Sequence, residues 1–151
     1  MFAITSNNEG ETRAIAARLA SLVRPGDVIV LAGPLGSGKT AFAGGLAAGL
    51  GVQRRVTSPS FVLMRSYDDG FVPFIHVDVY RLSTLGEFSD LDVFEEGRKG
   101  VVAIEWGDAV GAVLPLDHLS VNFDVLGDEA RLLRFEPAGA WSDRPLGELV
   151  V

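Results

Sequence analysis

Two stretches of this chain are apolar without a break: Val28-Ile29-Val30-Leu31-Ala32 and Val101-Val102-Ala103-Ile104. Short β-branched runs with no polar position predict strands covered on both faces. Other stretches are periodic. Ile15, Leu19, Leu22 and Val23 recur at helical spacing, after a start at Ser6-Asn7-Asn8-Glu9. Ser6 or Asn8 would cap that helix, with Glu9 or Glu11 three residues on, and Arg24-Pro25-Gly26-Asp27 ends it in a turn. Thr40 to Leu50 reads as a second helix ending at Gly49 and Gly51; its Gly44 and Gly45 each weaken it by about 1 kcal/mol relative to Ala. Phe61 to Tyr67 and Phe71 to Val79 flank Asp68-Asp69-Gly70 and predict a hairpin. Glu87 to Lys99 reads as an acidic helix with Phe88, Leu91 and Phe94 on one side. Leu119 to Leu126, alternating, turns at Gly127-Asp128 and pairs with Ala130 to Phe135. Phe2 to Thr5 is a further short strand. After about Pro137 the period is lost, and Trp141 implies only partial docking. Strands interleaved with helices predict an α/β fold with a mixed, largely parallel central sheet flanked by helices. The expected division is a domain over 1–137 and a partly ordered tail over 138–151.

The link between the first apolar strand and the helix after it carries the chemistry. Gly33-Pro34-Leu35-Gly36-Ser37-Gly38-Lys39-Thr40 fills every fixed position of the phosphate-binding pattern GxxxxGK[ST]. Polyphosphate oxygens only accept hydrogen bonds, so their site needs a ring of backbone N–H donors. Glycines at 36 and 38 allow that close approach. Lys39 supplies a cation for the β and γ phosphates, and Thr40 a hydroxyl where a bridging Mg²⁺ would sit. The following helix points its positive end at the same place. Leu35, Gly36, Ser37, Gly38, Lys39 and Thr40 are therefore the expected nucleotide contacts, within a single P-loop NTPase domain.

Two carboxylates end apolar strands: Asp78, after Phe74-Ile75-His76-Val77, and Glu105. Such a group holds Mg²⁺ directly or through water. Open α/β sheets bind ligands at the carboxyl ends of their strands, so Ala32, Asp78 and Glu105 are expected to converge. His76 is read as a hydrogen-bonded strand residue rather than a catalyst. Thr57 and Ser58, in the hydroxyl-rich Thr57-Ser58-Pro59-Ser60-Phe61, form either a surface turn or a loop that senses γ-phosphate or Mg²⁺. Tyr80 and Arg81 either meet a partner or phosphate or finish the strand. Trp106 either covers the nucleotide or, the preferred reading, serves the core or a partner. Arg131 and Arg134, on the last hairpin, either reach phosphate or are solvated.

Charge narrows the partners. A net charge of −7 and a pI near 4.7 leave no basic surface able to neutralise a nucleic-acid backbone unaided. Any nucleic acid would be held by another subunit. The absence of cysteine excludes disulfides and thiolate metal sites. No basic start precedes an apolar core, and no apolar run approaches the ~20 residues that span a membrane, so a cytoplasmic location without membrane association is expected.

Together these residues resemble the TsaE (formerly YjeE) family of small bacterial ATPases. The resemblance rests on GPLGSGKT, Thr57-Ser58-Pro59-Ser60-Phe61, His76-Val77-Asp78-Val79-Tyr80-Arg81-Leu82, Glu105-Trp106 and Leu114-Pro115, in that order over most of the chain. It implies slow, Mg²⁺-dependent ATP hydrolysis within the complex that makes the threonylcarbamoyladenosine modification of tRNA. TsaB-like and TsaD-like subunits would be the partners, with tRNA reached only through them, and hydrolysis would reset the complex. It further implies that Lys39 and the loop hold phosphate, that Thr40 and Glu105 ligate Mg²⁺, and that Asp78 is a second acidic group, metal-linked or catalytic. Lys39, Asp78 and Glu105 are thus the catalytic candidates, and Arg131 is a nucleotide contact on a hairpin that matches in outline. Thr57 and Ser58 would be switch-like, and Tyr80 and Trp106 would support the site or a partner. Pro34 departs from the family, in which an acidic or amide residue is frequent at this place. Competing readings are a small-molecule kinase using the same loop, for which Arg54-Arg55 is the only tight arginine pair, and a nucleotide-dependent binding module. A GTPase is disfavoured, since no Lys-x-Asp signature follows the loop.

Overall fold

The two unbroken apolar runs lie side by side at the centre of the sheet and feed a separate core on each face. In the computed structural model, which describes residues 2–57, 64–79, 88, 92–106, 111 and 113–150, the chain runs β1 (Phe2–Ser6), α1 (Glu9–Leu19), β2 (Val28–Ala32), α2 (Lys39–Gly49), β3 (Met64–Tyr67), β4 (Phe74–Asp78), α3 (Val93–Glu96), β5 (Val101–Glu105), β6 (His118–Val125) and β7 (Arg131–Ala138). Ile29 and Leu31 of β2, with Val101 and Ala103 of β5, pack under α1 and α2. Val28, Val30, Val102 and Ile104 face the opposite way, onto Ile75, Val77 and Val93. Period-2 alternation of all-apolar strands thus produces a sheet covered on both sides.

The seven strands are ordered β1-β7-β6-β2-β5-β4-β3. The central pairings, β6 with β2, β2 with β5 and β5 with β4, are parallel. The outer ones, β1 with β7, β7 with β6 and β4 with β3, are antiparallel. The sheet is therefore mixed and parallel at its middle, as expected. Both hairpins form, β3–β4 and β6–β7. At the tip of the first, the Asp69 carboxylate accepts the amide N–H of Gln53 at 2.8 Å. With the Arg54 amide and guanidinium helping, that contact holds its carboxyl below the ordinary range.

Two expectations need correction. The single helix over Glu87 to Lys99 does not form. Asp92 is left-handed at φ 54°, and Gly97 closes the short α3 one turn later. Gly97 lies so close to Val102 that a continuing helix with a side chain there would strike β5. After β7 the chain makes two 3-10 turns, Gly139–Asp143 and Leu146–Leu149. The ring of Trp141 is fully buried rather than partly docked, and Leu146 and Leu149 join the same core. Arg144 anchors this stretch through a buried pair with Asp27 and a stack on Trp141, 3.9 Å from the ring centroid.

The glycines of α2 have a packing reason that propensity alone hides. At Gly45 a Cβ would overlap the backbone of Arg13 in α1, and at Gly49 it would sit 2.7 Å from the carbonyl oxygen of Ala17. Bare backbone on α2 therefore lets α1 lie against it, bringing the start of α1 to the phosphate loop. Gly45→Ala is expected to destabilise the protein by about 1 kcal/mol, because overpacking against rigid backbone costs ~1–3 kcal/mol and outweighs the ~1 kcal/mol gain in helix propensity. Urea unfolding measures this; a more stable variant would show that the helices do not meet here.

Candidate nucleotide and metal site

β2, β5 and β4 are parallel neighbours, so their carboxyl ends reach one edge of the sheet. Leu31 pairs with Glu105, and Glu105 with Asp78. Past Ala32 the chain folds back through the glycine loop, with Gly36 at φ 78° and Gly38 at φ 104°. Gly33 has no room for a side chain, since a Cβ would lie 2.9 Å from both Cβ and O of Phe123. Gly38 is the N-cap of α2 and offers no side-chain hydrogen bond. The first turn of the helix thus keeps backbone N–H groups and a positive dipole end for an anion.

The charged groups are drawn together around this loop. Lys39 Nζ donates to the carbonyl oxygens of Gly33 (2.6 Å) and Pro34 (2.9 Å). It also lies 3.7 Å from the ring centroid of Trp106. Trp106 is half-buried at φ 64°, a left-handed conformation uncommon for a bulky residue. The Thr40 hydroxyl donates to Glu105, at 3.1 Å from Oε1 and 3.0 Å from Oε2. Glu105 Oε2 also meets Nε2 of the buried His76 at 2.5 Å. Gly38, Lys39, Thr40, Asp78, Glu105 and Trp106 all line a cavity of about 330 Å³. A hydroxyl and two carboxylates form a hard, oxygen-only donor set. Mg²⁺ is commonly held by one or two carboxylates while phosphate oxygens and water complete its octahedron, so the set fits it. Among the described residues no group of three or more His, Cys, Asp or Glu forms a self-sufficient metal cage.

A second cavity, of about 170 Å³, opens on the other flank of the loop between Glu9, Thr12, Ser37, Asp128 and Arg131. Arg131 fastens the two walls. Its Nε donates to Ser37 O and its Nη2 to Gly36 O, each at 3.2 Å, while Nη1 donates to Gly127 O and Ala130 O, each at 2.9 Å. Arg134 is elsewhere, paired with Asp124 at 2.7 Å.

Of the residues expected to act, Lys39, Thr40, Asp78, Glu105 and Trp106 meet at the first cavity, and Leu35 and Gly36 also line it. Ser37 reaches the second cavity, but its Oγ is buried without a hydrogen-bond partner among the described residues and lies 2.8 Å from a Cβ built on Gly33. Its hydroxyl faces the base of the loop. Trp106 touches the core on one side and Lys39 on the other. Thr57 is solvent-exposed. Ser58 and Tyr80 lie outside the described residues. His76 is a hydrogen-bonded strand residue, as expected, but Glu105 as its partner was not expected. The signal for it is period-2 spacing, which puts His76 on the face of β4 that carries Asp78, next to the strand bearing Glu105.

The family model described as "Threonylcarbamoyl adenosine biosynthesis protein TsaE" matches residues 6–133. The chain belongs to the TsaE family. A TsaE of Bacillus subtilis is 41% identical over 132 residues, covering 87% of this chain and 83% of the relative. One from Streptomyces coelicolor is 44% identical over 127 residues, covering 81% and 85%. Both carry the name tRNA threonylcarbamoyladenosine biosynthesis protein TsaE. The crystal structure of Bacillus YdiB superposes with a TM-score of 0.80 at 36% identity, covering 97% of this chain and 91% of its own. The α/β P-loop architecture of this TsaE-family chain thus agrees with a solved fold.

Arg131 gives a testable consequence. Arg131→Lys keeps the charge but loses the fork that holds loop and hairpin at once. Loss of one hydrogen bond from a charged group, ~1.5 kcal/mol, corresponds to roughly tenfold weaker nucleotide binding. Calorimetric titration with ADP checks this, and wild-type affinity in the lysine variant would show that the fork is dispensable.

Proposed function

We propose that this chain binds ATP with Mg²⁺, hydrolyses it slowly, and uses that cycle to switch TsaB-like and TsaD-like partners in threonylcarbamoyladenosine modification of tRNA. The observation that carries the reading is the meeting of Lys39, Thr40, Asp78 and Glu105 around one cavity at the edge of three parallel strands. Lys39 trades its two carbonyl partners for β and γ phosphate oxygens. The loop amides and the start of α2 hold the remaining oxygens. Thr40 and Glu105 would ligate Mg²⁺, with Asp78 linked through water or placed to orient the attacking water. When bound, Mg²⁺ neutralises charge building on the phosphates.

Slow turnover is consistent with where Arg131 and Arg54 lie. Arg131 is engaged with loop carbonyls, and Arg54 with Asp69 and the face of Tyr67. An arginine supplied by a partner typically raises phosphoryl-transfer rates by about 10³–10⁵, which makes partner stimulation the natural control. The position of Arg54 also weighs against the kinase reading, which needs that pair over the phosphates. The net charge of −7 supports contact with tRNA through the partners only. Among the described residues no helix is long and apolar enough to cross a membrane, and we place the protein in the cytoplasm.

The decisive assay is ATP hydrolysis with Mg²⁺, by the protein alone and with both partners. Partner-stimulated turnover that disappears in Lys39→Ala is expected; turnover that rises only with a small phosphate acceptor would replace this reading with a kinase. Glu105→Ala should weaken nucleotide binding more with Mg²⁺ present than in EDTA. Equal losses in both conditions would remove Glu105 from the metal site.

A further inference from the structure

His76 has no exposed surface, and its ring lies among the strand side chains beneath the loop. Burying an imidazole is costly unless its polar atoms are paired. Here one is paired and one is not: Nε2 meets Glu105 Oε2 at 2.5 Å, while Nδ1 has no partner among the described residues. Among the described residues, the only hydrogen bond of this buried ring is therefore to Glu105. A carboxylate only accepts, so Nε2 carries the hydrogen and donates it. Glu105, itself 3% exposed, receives a second donor, the Thr40 hydroxyl at 3.0–3.1 Å.

The geometry points to His76 as a positioning residue for Mg²⁺ binding, fixing the rotamer of Glu105 from below so that its carboxylate faces Thr40 and the cavity. This rests on the reading of Glu105 as a metal ligand. A carboxylate at a strand end has free torsions, and in a partly wet cavity it samples several directions. The N–H from His76 selects one of them, on a rigid strand, before any metal arrives. Binding then loses less side-chain entropy, and Glu105 need not give up its bond to His76 in order to bind. Thr40 can keep its O–H on the carboxylate and still offer the metal a lone pair, because a hydroxyl carries one donor and two lone pairs. The two donors to Glu105 thus differ in purpose: His76 only orients the carboxylate, whereas Thr40 also has an oxygen to offer the metal. The outer partners of metal ligands typically contribute about 10–100-fold to metal affinity.

The test titrates ADP into the protein over a series of Mg²⁺ concentrations and again in EDTA. His76→Phe keeps an aromatic ring but removes the donor, whereas His76→Gln keeps an N–H at nearly the position of Nε2. For His76→Phe we expect the Mg²⁺ requirement to rise about 10–100-fold, with ADP affinity in EDTA within about threefold of wild type, and His76→Gln to restore most of the loss. Glu105→Gln separates the two levels of the claim. If it leaves Mg²⁺ dependence intact, the metal-site reading fails; if it abolishes that dependence while His76→Phe does not alter it, only the role of His76 fails. Equal weakening by His76→Phe in Mg²⁺ and in EDTA would likewise overturn the role.

Should the phenylalanine variant not fold, wild-type protein still decides. The chain has two histidines, so a slowly exchanging imidazole N–H resonance that survives His118→Gln belongs to His76. It should shift on adding ADP with Mg²⁺ and stay still on adding ADP with EDTA. A missing signal, or one indifferent to Mg²⁺, overturns the inference.

Discussion

The hydrogen bond from Thr40 to Glu105 ties the phosphate loop to the sheet, and the order of the site depends on it. Thr40 lies in the first turn of α2, and Glu105 closes a strand buried on both faces. Without a partner, a carboxylate as buried as Glu105 would be a liability of several kcal/mol. Thr40 and His76 satisfy it, and in doing so align helix, loop and strand end on one centre. Lys39 is held in a comparable way, folded back on the loop carbonyls against Trp106. The site is thus assembled from groups that already satisfy one another and that a metal-bound polyphosphate would rearrange.

Such a rearrangement would be local. Three parallel strands fix the positions of Asp78 and Glu105 relative to the loop, and two cores fix the strands. The first turn of α1 reaches the loop because the glycines of α2 remove the side chains that would hold the helices apart. The contacts that a polyphosphate would displace are those of the Lys39 ammonium with the loop carbonyls and with the indole of Trp106.

Much of this was legible in the residues. Unbroken apolar runs gave the central parallel strands, alternation gave the hairpins, and the loop motif placed the phosphate site; strand polarity then brought Asp78 and Glu105 to it. What escaped has a common physical cause, namely contacts between elements distant in sequence. The bond between His76 and Glu105 needs the register of β4 on β5. The reason for Gly45 needs α1 lying on α2. Burial of Trp141 needs the pair between Arg144 and Asp27, across 117 positions. Periodicity reports which face of an element is apolar, but not what will cover it. The break at Asp92 is a different kind of miss, because a left-handed residue interrupts a helical pattern that composition alone continues.

The central claim, that polyphosphate takes Lys39 away from the loop carbonyls and from Trp106, is open to one optical measurement. The chain has two tryptophans, and Trp141 is fully buried. Tryptophan fluorescence is recorded while ATP is added with Mg²⁺, to wild-type protein and to Trp106→Phe. A saturable change is expected in the wild type, and it should vanish in the variant even though calorimetry shows that the variant still binds ATP. No change in the wild type at saturating ATP, or the same change in both proteins, would contradict it, placing the nucleotide away from Lys39 and the strand ends.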